Sequence, residues 1–202
     1  MDYKNIIFDM GNVLVKLDEE ATIKQFAALG LGHDKAQTEH DEVADLIRGM
    51  GIGTVSNETF FDAVRRITHR DLSDHEITKA VNAMLLYVPE EKKRKLLEIR
   101  KQGYHTYLLS NTIDLHWQYC KQQLFPMGKH NVDDYFERMF LSQVMHKKKP
   151  DDEIFQTVIA ETGINPEETL FIDDLQENCQ AAKRQGLHTF QNKEFNDWLQ
   201  LF

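Results

Sequence analysis

Three short apolar runs in this chain each end on polar residues able to act on an anion. Asn5–Phe8 leads into Asp9, Met10, Gly11 and Asn12. Tyr104–Leu109 leads into Ser110, Asn111 and Thr112, and Thr169–Ile172 leads into Asp173 and Asp174. A fourth element, Lys149-Pro150, precedes a helical segment. Together these residues would supply three carboxylates, a hydroxyl, an amide and an ammonium. Three carboxylates repel one another by about 4 kcal/mol per pair at 4 Å and an effective dielectric near 20. A cation is needed, and oxygen donors with no His or Cys beside them suit Mg²⁺. A lysine, a hydroxyl and backbone N–H groups next to that ion suit a phosphoryl group. A carboxylate aimed at phosphorus, here Asp9, suits covalent catalysis through an aspartyl-phosphate.

For these residues to meet, the apolar runs must be parallel strands of one sheet, whose C-terminal ends share a crevice. The sequence supports that. From Pro89 onward strand-like and helix-like segments alternate. A Leu96, Leu97, Ile99 stripe is ended by Gly103, and a helix is expected from Ile113 to Leu124. Short strands are expected at 138–141 and 188–190, with helices over 151–162 and 176–185. Alternation of this kind gives an α/β fold with helices on both faces of a parallel sheet.

Residues 16–86 read differently. Asp18 is placed to cap a helix carrying Ile23, Phe26 and Ala27, stopped by Gly30 and Gly32. Val43, Leu46 and Ile47 form a second stripe, ended by Gly49, Gly51 and Gly53. Asn57 is the expected N-cap of a third, with Phe60, Phe61, Val64 and Ile67 facing inward. Ser73 to Glu76 forms a capping box before a fourth. The expected organisation is therefore a Rossmann-like core from 1–15 and 87–202, interrupted by a four-helix unit over 16–86.

Composition excludes several function classes. The 202 residues carry 24 Lys and Arg against 33 Asp and Glu, a net charge of −9. That balance argues against nucleic-acid binding, which needs a basic face, and against docking on anionic membranes. No basic segment followed by an apolar one opens the chain, and no apolar stretch approaches the ~18 residues that cross a bilayer. The two cysteines, Cys120 and Cys179, make no disulfide framework. A cytoplasmic protein with reduced thiols and a small-molecule partner is expected.

The four motifs, Asp9-Met10-Gly11-Asn12-Val13, Ser110-Asn111, Lys149-Pro150 and Asp173-Asp174 with Asn178, resemble those of the haloacid dehalogenase-like hydrolases, in the family's order and over essentially the whole chain. The four-helix insertion resembles that family's helical cap domain. The motifs look most similar to those of bacterial sugar-phosphate phosphatases, notably the α-glucose-1-phosphatase type. The resemblance implies Asp9 as nucleophile and metal ligand, and Gly11 as a metal ligand through its carbonyl. It implies Ser110 and Asn111 as phosphate-binding residues and Lys149 as the lysine that neutralises Asp9 and the phosphate. Asp174 is implied as the direct Mg²⁺ ligand, with Asp173 behind it and Asn178 bracing the acidic loop.

One position departs from the family pattern. Where a second Asp commonly serves as general acid and base, this chain has Gly11. General acid–base catalysis is typically worth ~10²–10⁴-fold, so leaving groups that need little protonation are expected to be favoured. Sugar-1-phosphates and aryl phosphates should outrank sugar-6-phosphates. Two other readings stay open: a weakly catalytic phosphate-binding or regulatory protein, and a metal-independent carbon–halogen hydrolase, against which Asp173-Asp174 count. His116 and His146 are alternative proton sources. Gly53 and Thr54, in the glycine-rich loop after the second helix, are expected to read the substrate. Lys147 and Lys148 are expected to be solvated charge.

Overall fold

The computed structural model describes residues 3–32 and 37–202, with the side chains of 37–40 excepted. In chain order its strands are β1 (Asn5–Phe8), β2 (Lys16–Leu17), β3 (Leu85–Tyr87), β4 (His105–Ser110), β5 (Arg138–Leu141), β6 (Thr169–Asp173) and β7 (His188–Gln191). Five of them form one parallel sheet in the order β5-β4-β1-β6-β7. β1 lies at the centre, which is why its run is fully buried and apolar after Asn5.

The helices are α1 (Glu19–Ala28), α2 (Gln37–Gly51), α3 (Asn57–Thr68), α4 (Asp74–Asn82), α5 (Glu90–Lys101), α6 (Asp114–Tyr119), α7 (Val132–Tyr135), α8 (Ser142–Met145), α9 (Asp152–Thr162) and α10 (Gln176–Arg184). Successive strand residues point to opposite faces, and the core divides accordingly. Ile6, Phe8 and Leu108 pack with Leu96 and Ile99 of α5 and with Trp198. Ile7, Leu109 and Phe171 pack with Ile154, Phe155 and Val158 of α9 and with Ala181 and Ala182 of α10. No helix among the described residues is long and apolar enough to cross a membrane.

Helices α1 to α4 build a separate apolar cluster around Phe60, Phe61, Val64, Ile67 and Ile77. Ile113 and Leu115, at the start of α6, belong to this cluster and not to the sheet's core. The two chain crossings between sheet and helical unit pair as the antiparallel ribbon β2–β3, Lys16 opposite Tyr87 and Leu17 opposite Leu85. The ribbon is too short to carry a sequence signal of its own.

Local chemistry explains the helix starts. Asp18 caps α1 through the Ala21 N–H, and Ser73 and Glu76 form the expected capping box on α4. The α3 cap is Ser56, one residue before the expected Asn57; the Ser56 hydroxyl accepts from the Thr59 N–H at 3.1 Å. Asn57 instead donates to Asp114 Oδ2 at 3.1 Å, tying the helical unit to α6. The helix expected over 113–124 is α6 continued by one π-helical turn, Cys120–Leu124.

Candidate active site

Asp9 follows β1 directly, and its N–H donates to the Ile172 carbonyl at 2.9 Å. Phe8 is level with Leu108 on β4 and Ile172 on β6, so Asp9, Leu109 and Asp173 stand in one row across three strands. The Lys149 ammonium closes that row. It donates to Asp9 Oδ1 at 2.5 Å, to the Leu109 carbonyl at 2.9 Å and to Asp173 Oδ2 at 2.7 Å. All three of its N–H groups are used.

Asp173 is fully buried and held from behind. Asn178 Nδ2 lies 3.0 Å from each of its oxygens, and the Leu175 N–H donates to Oδ1 at 2.9 Å. Asp174 is half-buried, and among the described residues the one side chain that donates to its carboxylate is Asn12, from Nδ2 at 3.5 Å. One carboxylate oxygen from each of Asp9, Asp173 and Asp174 lies within 4.8 Å of the others. Burial pushes the Asp9 carboxyl up to about 7; Lys149 opposes the shift and Asp173 adds to it. Burial and Asp173 also raise Asp174. Burial lowers Lys149, but Asp9 and Asp173 outweigh it and hold the ammonium protonated. One ammonium therefore faces three carboxylates. The surplus charge and the oxygen-only donor set fit a hard divalent cation.

Ser110 ends β4, 1% exposed. The Asn111 side chain is committed to the backbone of Lys149: Nδ2 donates to its carbonyl at 2.8 Å, and Oδ1 accepts from its N–H at 2.9 Å. This pairing uses one of the two amide N–H groups and leaves the second for a phosphate oxygen. Thr112 and Ser142 interlock similarly. The Ser142 hydroxyl accepts from the Thr112 N–H at 2.9 Å and donates to the Thr112 carbonyl at 3.1 Å.

A cleft of about 430 Å³ opens above Gly11 and Ser110. Its far wall is the end of α2, with Ile47, Arg48 and Ile52, and its flanks are Leu17, His116 and Lys148. Lys148 is exposed, as expected of a solvated charge, and lines the cleft, whereas Lys147 is half-buried and its ammonium donates to Thr157. Gly53 and Thr54 are not in the cleft wall. A Cβ on Gly53 would lie 2.2 Å from the Gln143 carbonyl, and its φ is +71°. His146 donates from Nδ1 to the Ile52 carbonyl at 2.8 Å. The glycine thus lets the loop after α2 dock on α8 and the residue following it. Thr54 donates to the Gly49 carbonyl in the last turn of α2 at 3.1 Å. Ile52 and Arg48 stand where the loop was expected to read a ligand.

The turn after Asp9 is gripped from below by groups the sequence did not flag. Asn12 has φ +50°, and its carbonyl accepts from Asn192 Nδ2 at 3.0 Å. The Val13 carbonyl accepts from the Trp198 indole at 2.9 Å and from the Lys92 ammonium at 2.6 Å. Lys92 is fully buried and also donates to the Phe195 carbonyl. Trp198, in a C-terminal stretch that also carries Phe195, Leu199 and Phe202, was the available signal for this anchor.

A sequence model of the haloacid dehalogenase-like hydrolases matches residues 3–186. The chain is 32% identical over 199 residues to a D-ribitol-5-phosphate phosphatase of Bacteroides thetaiotaomicron, covering 98% of this chain and 95% of that one. It is 25% identical over 200 residues to a glyceraldehyde 3-phosphate phosphatase of Pyrococcus furiosus, covering 92% of this chain and 79% of that one. Its structure is similar to the crystal structure of a haloacid dehalogenase family enzyme from B. thetaiotaomicron in complex with magnesium and inorganic phosphate. There the TM-score is 0.90, with 36% identity and 99% of each chain covered. The chain belongs to the haloacid dehalogenase-like hydrolase family.

Proposed function

From that membership we propose that the chain is a Mg²⁺-dependent phosphomonoester phosphatase that works through an aspartyl-phosphate on Asp9. Its substrate is a small soluble phosphate of the sugar or polyol class. The observation that carries this reading is the Lys149 ammonium, shared between Asp9 and Asp173 beneath an open cleft. The B. thetaiotaomicron and P. furiosus relatives, which act on a polyol phosphate and a triose phosphate, support the substrate class.

Asp9, the Gly11 carbonyl and Asp174 would hold the metal. Asp174 has the freer carboxylate, and Asp173 is tied to Lys149, Asn178 and Leu175. Bound there, Mg²⁺ supplies charge neutralisation of the carboxylates and of the phosphoryl oxygens. Asp9 attacks phosphorus, the phosphorus–oxygen ester bond breaks, and the acyl-phosphate on Asp9 is then hydrolysed. Ser110 and the N–H groups at the end of β4 orient the phosphoryl oxygens, and Lys149 offsets their charge. Four helices over 19–82 serve as a cap, with the β2–β3 ribbon as its hinge, excluding water while the ester is bound.

Gly11 supplies no proton to the leaving oxygen. The leaving group must take one from water, so acidic leaving groups are favoured, among them an anomeric or phenolic hydroxyl. The test is phosphate release from a panel of sugar, polyol, nucleotide and aryl phosphates, with Mg²⁺ or EDTA and with Asp9→Asn. Release requiring both Mg²⁺ and Asp9 is expected. Absence of release from every ester by a folded, Mg²⁺-binding protein would favour the phosphate-binding reading that Gly11 otherwise suggests.

A further inference from the structure

His116 is a half-buried histidine whose two ring nitrogens have different surroundings. Nε2 lies 3.1 Å from the Val81 carbonyl near the end of α4. A carbonyl only accepts, so Nε2 carries the proton and the neutral ring leaves Nδ1 bare. Nδ1 has no partner among the described residues, and the ring lines the cleft above Gly11 and Ser110. Burial lowers the histidine's pKa, with the Val81 carbonyl opposing, which keeps the ring neutral. The Nε2 proton is committed to Val81 and Nδ1 has none to give, so this neutral histidine is no general acid. It is an acceptor.

Acceptors are scarce in this cleft. Among the described residues no Asp or Glu lines it, although the chain has 33 of them. The Asn111 amide oxygen is used on Lys149, and the Ser142 hydroxyl on Thr112. Ser110 lies at the phosphate end. Donors are available in Lys148, which has no partner among the described residues, and in Arg48, paired with Asp45. A hydroxyl both donates and accepts, and its proton needs an acceptor.

We propose that His116 is a specificity-determining residue whose Nδ1 accepts a hydrogen bond from a hydroxyl on the leaving group, selecting polyol and sugar phosphates over their deoxy counterparts. This rests on the phosphatase reading above and names the feature of the substrate that the site recognises. Because Nε2 holds the last turn of α4, the same ring links recognition of the hydroxyl to the seating of the helical unit over the cleft.

The test compares matched esters, erythritol 4-phosphate against butyl phosphate, in the wild-type protein and in His116→Leu. Release from p-nitrophenyl phosphate by the wild type, dependent on Mg²⁺ and Asp9, first checks the underlying reading. If it fails, the phosphatase reading fails. If it holds, wild-type kcat/KM should favour the polyol ester by about tenfold, the scale of one buried hydrogen bond, and the ratio should collapse toward one in His116→Leu. A wild-type ratio near one, or a ratio unchanged in the variant, overturns the proposal. Should His116→Leu not fold, the His116 Nδ1 nitrogen resonance is followed in Asp9→Asn protein, with His116→Gln used for assignment. It should shift with erythritol 4-phosphate and not with butyl phosphate; no difference between the two esters overturns the proposal.

Discussion

The side-chain amide of Asn111 pairs with both backbone groups of Lys149, at 2.8 and 2.9 Å, across 38 residues of sequence. This contact fixes the origin of the lysine side chain, and its ammonium then reaches Asp9, Leu109 and Asp173 together. Asn111→Leu removes both bonds while keeping the volume. A displacement of about 1 Å at a reacting group can cost ~10²-fold. We expect kcat for p-nitrophenyl phosphate to fall by ten- to a hundredfold, with Mg²⁺ affinity within about threefold of wild type. Steady-state kinetics and a Mg²⁺ titration on the same preparation check it. Loss of Mg²⁺ affinity without loss of kcat would contradict the assignment.

Asp173 and Asp174 are neighbours with opposite surroundings, so the same substitution should affect them differently. Asp173→Asn takes one carboxylate from a buried lysine, and breaking a buried pair from one side costs roughly 3–5 kcal/mol. A large fall in Tm is expected. The Asp174 carboxylate accepts a long 3.5 Å bond from Asn12 and sits beside a like charge. Asp174→Asn should leave Tm unchanged or slightly raised in EDTA, and should weaken Mg²⁺ binding by at least about tenfold. Calorimetric unfolding with EDTA and with Mg²⁺ separates the two.

The strand ends and their polar residues were legible from sequence because each is a local event: an apolar run, then a functional turn. The parallel sheet follows from the alternation, and the four helices from their stripes and caps. The residues around this framework were not legible. Lys92 reads as one member of a charged helix face until the C-terminal segment folds over it and buries its ammonium against Val13 and Phe195. Gly53 was singled out for its place in a glycine-rich loop, but its glycine is required by the Gln143 carbonyl, 90 residues away. The cleft wall is made by Ile52 and Arg48 instead. Nothing local to His116 tells that Val81 will choose its tautomer. Each of these depends on long-range packing, which periodicity and spacing do not encode.

Gly11 offers a direct test of the missing acid. A Cβ there would lie 2.9 Å from Leu17 Cδ1, the tip of a flexible side chain, and the φ of Gly11 is not positive. Gly11→Asp is therefore sterically feasible once Leu17 turns aside, and Gly11→Asp with Leu17→Ala relieves the contact altogether. A positioned acid is worth ~10²–10⁴-fold where the leaving group needs protonation. The double variant is expected to raise kcat on butyl phosphate by at least about tenfold and on p-nitrophenyl phosphate much less. Equal effects on both esters would show that leaving-group protonation does not limit turnover.

Lys92 should leave a mark on the pH dependence of stability. Burial lowers its pKa from 10.5 to about 7, with Lys16 adding to the shift and Glu91 opposing it. The unfolded chain keeps the ordinary lysine value, about 10.4. Between pH 7 and 10 the unfolded chain thus binds more protons at this site, and raising the pH across that window favours the folded state. Below pH 7 both states carry the proton, and the cost of burying the charge is complete and constant. The Val13 and Phe195 carbonyls and the Phe195 ring, 3.1 Å from the ammonium at its centroid, favour the cation and reduce that cost. A gain on the order of 1–3 kcal/mol across the window is expected for this site. The Lys92→Met protein lacks it, so urea unfolding at pH 6.5 and 9.5 should show the wild type gaining on the variant. Cys120, pushed up to about 12 by burial, titrates in both proteins and cancels in the difference. A wild-type advantage that is flat with pH would mean that the ammonium stays protonated against its carbonyls throughout. Lys92 would then be a permanent cationic clasp on the turn that follows Asp9.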